Sequence, residues 1–181
     1  MKVILNKNIL IYLIIIFLST FNSLAQEVIV STMPSLTKEE YENQIIIKGD
    51  VDAYNNLRKI LESDRNIDEF LYYSFVMANK YHYPDAFFYV YHILTSDFDI
   101  YKTKIDSITL NIALSYLEKG VELGSNASEI YASELYLKGK YFPQDTTKGF
   151  DLYMKGWNYT DSTVIEYNKK ILRNMYKLKN K

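Results

Sequence analysis

Glycine is scarce in this chain and unevenly spaced. Its six glycines are Gly49, Gly120, Gly124, Gly139, Gly149 and Gly156, so five of them fall within residues 120–156. Between Gly124 and Trp157 the pattern is a helix, a short loop and a second helix. Ser125-Asn126-Ala127 opens the first, Gly139 closes it, and Pro143-Gln144-Asp145 marks the turn into the next. A glycine inside a helical pattern costs about 1 kcal/mol against alanine. Gly149 therefore needs a packing reason, and the close approach of a second helix supplies one. Such a segment is restricted to helices paired across a tight seam.

The flanking sequence continues in the same style. Thr37 and Glu40 form a capping box that opens a helix ending at Lys48, with Gly49 as its left-handed terminator. Asp50 caps a second helix whose stripe is Val51, Tyr54, Leu57, Ile60 and Leu61. Asn66 with Glu69 repeats the capping box before Phe70, Ser74 and Ala78. Pro84 suits the first position of a fourth helix, apolar nearly all round, to about Thr95. Residues 96–106 read as a polar connection. Ser107 opens a helix to about Leu123, and Asp161 or Ser162 opens a last one to about Leu178, whose Lys-rich end suits a solvated cap. No stretch shows the period-two alternation of a half-buried strand, so the expected class is all-α.

Residues 1–25 have the form of a secretory signal peptide. Lys2 and Lys7 precede an apolar run from Ile9 to Leu18, and Ser23-Leu24-Ala25 is a small-x-small site with cleavage expected after Ala25. The apolar run is about half of what a spanning helix needs. With no cysteine in the chain, a lipoprotein anchor, disulfides and thiolate metal sites are excluded. Without residues 1–25 the chain carries 19 basic against 22 acidic side chains, which lacks the basic footprint of nucleic-acid binding. A periplasmic or secreted protein with no stable membrane anchor after cleavage is expected.

Two second helices superimpose in sequence at a spacing of thirty-six residues. Ala113-x-x-Tyr116-Leu117-x-Lys119-Gly120 aligns with Gly149-x-x-Leu152-Tyr153-x-Lys155-Gly156. Asn126-Ala127 follows Gly120 much as Asp85-Ala86 follows Met77-Ala78, and Pro143-Gln144-Asp145 provides a Pro-x-Asp loop. These residues resemble a Sel1-like repeat, the bacterial relative of the tetratricopeptide repeat, best over 107–157. Tyr91 and Ala132 stand where the family has glycine, and the 83–124 unit carries a long insertion. The resemblance implies a short right-handed α-solenoid of antiparallel helix pairs. Its parts are an extended leader over 26–36 and one helical-repeat domain over 37–181. The units are about 50–82, 83–124 and 125–160, with a capping helix at 161–179. A tetratricopeptide phase pairing 67–82 with 84–95 fits as well.

Catalytic chemistry has no visible constellation. His82 and His92 lie ten residues apart, not at the i, i+4 spacing of a helical metal site, and no phosphate loop or nucleophile motif is present. No metal, cofactor or catalytic residue is expected. Asp97 and Asp99 flank Phe98 in a segment expected to be a solvated loop. Asp106-Ser107-Ile108, Asp145-Thr146-Thr147 and Asp161-Ser162-Thr163 resemble short envelope O-glycosylation sites, and each is equally an N-cap.

Aromatic residues are the more promising feature, with 18 tyrosines, nine phenylalanines and one tryptophan. Most aromatics at helical spacing belong to a core, yet aromatic anchors also dominate binding surfaces. The expected partner-binding residues are Tyr89, His92 and Tyr136, with the loop residues Tyr141 and Phe142. The expected function is an exported module binding a protein or peptide in the periplasm. Alternatives are an immunity or inhibitor protein against an envelope-active toxin, and an envelope hydrolase or carbohydrate-binding protein.

Overall fold

The computed structural model describes residues 36–101 and 105–176, and residues from Lys38 onward belong to one unit. The expected signal peptide, its cleavage site and the leader up to residue 35 lie outside the described residues, as does everything after Tyr176. Among the described residues there are eight helices and no strand. They are α1 (Lys38–Lys48), α2 (Val51–Ser63), α3 (Ile67–Asn79), α4 (Pro84–Tyr101), α5 (Ser107–Glu122), α6 (Asn126–Lys138), α7 (Thr146–Gly156) and α8 (Ser162–Met175). The protein is all-α.

Helix starts follow local chemistry. Asp50, Asp106, Ser125, Asp145 and Asp161 each sit at an N-cap and accept from a backbone N–H two or three residues on, at 2.8–3.2 Å. The three Asp-Ser/Thr tripeptides are therefore N-caps. At Asp106 the hydroxyl and N–H of Thr109, and at Asp161 the N–H groups of Val164 and Thr163, hold the carboxyl below its ordinary range. The capping box expected at Asn66 does not form. Asn66 makes no side-chain cap and instead donates from Nδ2 to Glu69 Oε2 at 2.6 Å. The fourth helix also runs to Tyr101, beyond the expected end at Thr95, so Asp97 and Asp99 lie on helix rather than loop backbone.

Gly49 ends α1 with φ +66°, and the Tyr81 ring fills the space a Cβ would take. Tyr81 Oη and Lys80 Nζ both donate to the Ile46 carbonyl at 2.9 Å, which satisfies an otherwise orphaned helix end.

The core consists of three neighbouring patches. Ile45, Tyr54, Leu57, Phe70, Met77 and Phe87 form the first, from α1 to α4. Phe88, Tyr91, Leu117, Ala132, Tyr136 and Leu152 form the second, from α4 to α7. Leu137, Phe150, Met154 and Leu172 form the third, from α6 to α8. Helices α4 and α6 each serve two patches, because opposite sides of both are apolar. Helix α1 packs on α2 and α3, α3 on α4, and α5 on α6. The most extensive pairings are α4 with α5 and α6 with α7, and α4 also touches α6.

A buried hydrogen-bond chain crosses the first patch. Ser74 Oγ donates to the Phe70 carbonyl at 2.9 Å, so its lone pair accepts the Tyr54 hydroxyl proton, also at 2.9 Å. Burial then pushes the Tyr54 pKa well above the usual tyrosine range.

Candidate functional site

Helices α4 and α6 border a groove of about 390 Å³. On α4, Tyr91, His92 and Thr95 share a face by i, i+3, i+4 spacing, and on α6 Tyr131, Glu134 and Lys138 do the same. His92 stacks on Phe88 with ring centroids 5.5 Å apart and planes 16° apart. Tyr131 lies 4.8 Å from Phe88, 6.2 Å from His92 and 6.4 Å from Tyr91, forming an aromatic wall in which Tyr131 is exposed, His92 half-buried and Phe88 and Tyr91 buried. Glu134 and Lys138 are ion-paired on the rim. Thr95 Oγ1 donates to the Tyr91 carbonyl at 2.9 Å and Ser96 Oγ to the Ile93 carbonyl at 3.1 Å. Both hydroxyls are committed to their own helix, and the aromatic wall and the charged rim are what the groove offers a ligand.

A smaller hollow of about 220 Å³ lies on another side of α6, against α5 and α7. Tyr136 borders it but is only 8% exposed, packed in the second core patch. Its ring stacks on Phe142 at 4.7 Å and 13°, and its hydroxyl accepts from Lys148 Nζ at 2.6 Å. The same ammonium is 4.1 Å from the Tyr136 ring centroid, a cation–π geometry.

The loop between α6 and α7 folds over the end of α6. Lys140 N–H donates to the Leu135 carbonyl at 3.0 Å, Asp145 N–H to Tyr136 at 3.1 Å, and Gln144 Nε2 to Leu137 at 2.9 Å. This closure holds Tyr141 at φ +67°, an unusual backbone for a bulky residue, with its side chain 42% exposed and Lys140 Nζ 4.8 Å from its ring. Strain of this kind collects at functional positions. Lys140, the residue before Tyr141, lines the α4–α6 groove.

The five residues expected from sequence are therefore dispersed. His92 lines the main groove and Tyr136 borders the smaller hollow, while Phe142 stacks on Tyr136 and Tyr141 lies in the α6–α7 loop, both outside the two linings. Tyr89 turns toward α2 and α3, half-buried against Tyr54 and Phe70, with the Arg58 guanidinium 5.4 Å from its ring centroid. Burial raises the Tyr89 pKa above its usual range, opposed by that guanidinium. Tyr131, Glu134 and Lys138 are not among the residues expected from sequence. The signal for them is the i, i+3, i+7 spacing on α6, which selects the face turned toward α4. Among the described residues no group of three or more His, Asp and Glu is placed to hold a metal.

On α6, Glu129 is buried at 1% exposure and ion-paired with the largely exposed Lys155 of α7, whose ammonium approaches Oε1 outside hydrogen-bonding geometry. Ser125 Oγ donates to Asp85 Oδ1 at 2.7 Å, tying the first turn of α6 to the first turn of α4. Both contacts brace the helices that border the groove. Comparison of the chain with protein-family models, with curated proteins and with solved structures finds no match.

Proposed function

We propose that this chain is an exported helical-repeat module that binds a protein or peptide partner in the periplasm through the α4–α6 groove. In this reading α4/α5 and α6/α7 are Sel1-like units stacked in a short right-handed α-solenoid of antiparallel pairs. Support for the repeat comes from corresponding glycines. Gly120 abuts Ser128 and Phe87, and Gly156 abuts Asn126 and Ile130, each at a helix crossing where a Cβ has no room. The observation that carries the binding reading is the position of the groove, between the first helices of two successive units. Stacked repeats present their binding surface there. Tyr131 and His92 would act as anchors, and Glu134 and Lys138 as rim charges that set specificity.

The test is capture from an envelope extract followed by titration of the purified partner. Tyr131→Ala and His92→Ala leave the buried core intact and should each weaken binding by about tenfold or more, the effect of losing an anchor. Tyr72→Ala, an exposed tyrosine on α3, is the control and should bind normally. A partner that binds both groove variants with unchanged affinity would place the interaction elsewhere.

A further inference from the structure

The hollow of about 220 Å³ on α5, α6 and α7 differs in chemistry from the α4–α6 groove. Its lining is apolar in the middle, with Val121 on α5, Ala132 on α6 and Leu152 on α7. Its rims carry opposite charges. Glu118 and Glu122 line it from α5, and Lys148 lines it from the first turn of α7. Glu122 is paired with Lys119 at 2.7 Å, whereas among the described residues Glu118 has no cation within ion-pair distance.

Lys148 is likewise without a carboxylate. Its ammonium donates to the Tyr136 hydroxyl at 2.6 Å and stands 4.1 Å from that ring's centroid, and among the described residues no acid is ion-paired with it. Asp145, which caps the same turn, takes the backbone N–H of Lys148 at 2.9 Å rather than its ammonium. Tyr136 is held in place, 8% exposed with Phe142 stacked on its ring at 4.7 Å. Because the Tyr136 oxygen accepts from Lys148, its own proton remains to donate, and no group among the described residues takes it. An ammonium with N–H groups to spare and an uncommitted hydroxyl proton thus sit side by side at the edge of an apolar hollow. That pair suits a carboxylate, and Glu118 on the α5 rim suits an ammonium.

We propose that this hollow binds a small aliphatic amino acid. Its carboxylate is held by Lys148 Nζ and the Tyr136 hydroxyl, its ammonium by Glu118, and its side chain by Val121, Ala132 and Leu152. A plain anion would leave Glu118 unpaired and meet repulsion from both α5 carboxylates. A plain cation would leave Lys148 unpaired, whereas a zwitterion answers both rims. Size points the same way, because the hollow is smaller than the roughly 300–1,000 Å³ of pockets for drug-sized ligands. A ligand of so few atoms binds at about millimolar strength. The inference rests on this hollow alone and does not depend on the α4–α6 groove.

Titration of the isotope-labelled protein with L-leucine, followed by backbone amide shifts, tests it. Saturable shifts are expected at Val121, Ala132 and Lys148. Lys148→Gln and Glu118→Gln should each weaken leucine binding by about three- to tenfold, with unchanged helical circular dichroism because both side chains are exposed. Tyr136→Phe keeps the stack on Phe142 and removes only the donor, and should weaken binding by a similar factor. Leucinamide, which lacks the carboxylate, and N-acetyl-leucine, which lacks the ammonium, should each bind about tenfold more weakly than leucine. Tyr131→Ala, in the other groove, should bind leucine normally. No saturable shift through about 50 mM leucine, well past the expected range, would overturn the proposal. So would binding that survives Lys148→Gln unchanged. N-acetyl-leucine binding as tightly as leucine would also overturn it, and would assign the hollow to the C-terminus of a peptide.

Discussion

Substituting Gly156 by alanine tests the close crossing of α6 and α7. Gly156 is buried at the end of α7, and a Cβ built there stands 2.7 Å from Ile130 Cγ1, 2.9 Å from the Asn126 carbonyl oxygen and 3.1 Å from the Ile130 nitrogen. Two of these atoms are backbone of the first turn and a half of α6. That turn is tied down by the Ser125 cap and by the bond from Ser125 to Asp85, so it has little freedom to withdraw. Alanine gains up to about 1 kcal/mol of helix propensity over glycine, and less in a terminal turn. Forcing a methyl into a filled crossing costs about 1–3 kcal/mol. The net expectation is a loss of about 1–2 kcal/mol. With a urea slope of about 2 kcal/mol/M, the unfolding midpoint should fall by about 0.5–1 M. Urea melts followed by far-UV circular dichroism measure this, with an unchanged native spectrum as the check on fold. A midpoint equal to or above that of the parent protein would mean that helix propensity outweighs contact, and the tight crossing would be refuted.

Three further outcomes follow from the core. Ser74→Ala strands the buried Tyr54 hydroxyl and should cost about 1–3 kcal/mol. Tyr54→Phe leaves Ser74 still donating to Phe70 and should cost about 1 kcal/mol, so the reverse order in urea melts would contradict the assigned donor direction. Lys155→Ala leaves the buried Glu129 carboxylate without its cation and should destabilise by about 1–3 kcal/mol, and adding Glu129→Gln should recover most of that; additive losses in a thermal-melt cycle would argue against the pair. Burial, chiefly, raises the pKa of Tyr54, Tyr73, Tyr83, Tyr89, Tyr153 and Tyr176. The folded protein then holds these protons longer than the unfolded chain, whose tyrosines titrate near pH 10. Their stabilising effect is complete below that pH and is lost as pH rises through the folded values. Urea midpoints should therefore drop steeply above about pH 10, together with the rise of tyrosinate absorbance, and a flat profile would refute the buried assignments.

Much of the fold is legible in the chain because helix signals are local. Asp50, Pro84, Ser107 and Asp161 mark starts, and Gly49 and Gly139 mark ends, through interactions that span no more than a few residues. Of the two expectations that differ, one has a tertiary cause and one a local cause. Glu69 lies within 2.6 Å of Lys38 Nζ on α1 as well as of Asn66 Nδ2, which draws it away from a capping box. The fourth helix extends past Thr95 because no proline or glycine stops it before Tyr101.

Function was less legible, and the aromatic residues show why. Sequence identified the population from which a site is drawn, but a tyrosine on a helix carries no mark of what lies opposite. Tyr136 is packed between Phe142 and Lys148, Tyr89 lies under Arg58, and Tyr131, two turns from nothing more distinctive than its neighbours, forms the wall of the groove. By itself the sequence determined the helical class, the caps and the positions of the small residues, since these depend on short-range hydrogen bonds and backbone geometry. Only the tertiary structure decided which aromatic side chains are core and which are surface, and that Glu129 is buried beside Lys155. Each of those depends on which helix faces which, and that is set by the summed packing of residues far apart in the chain.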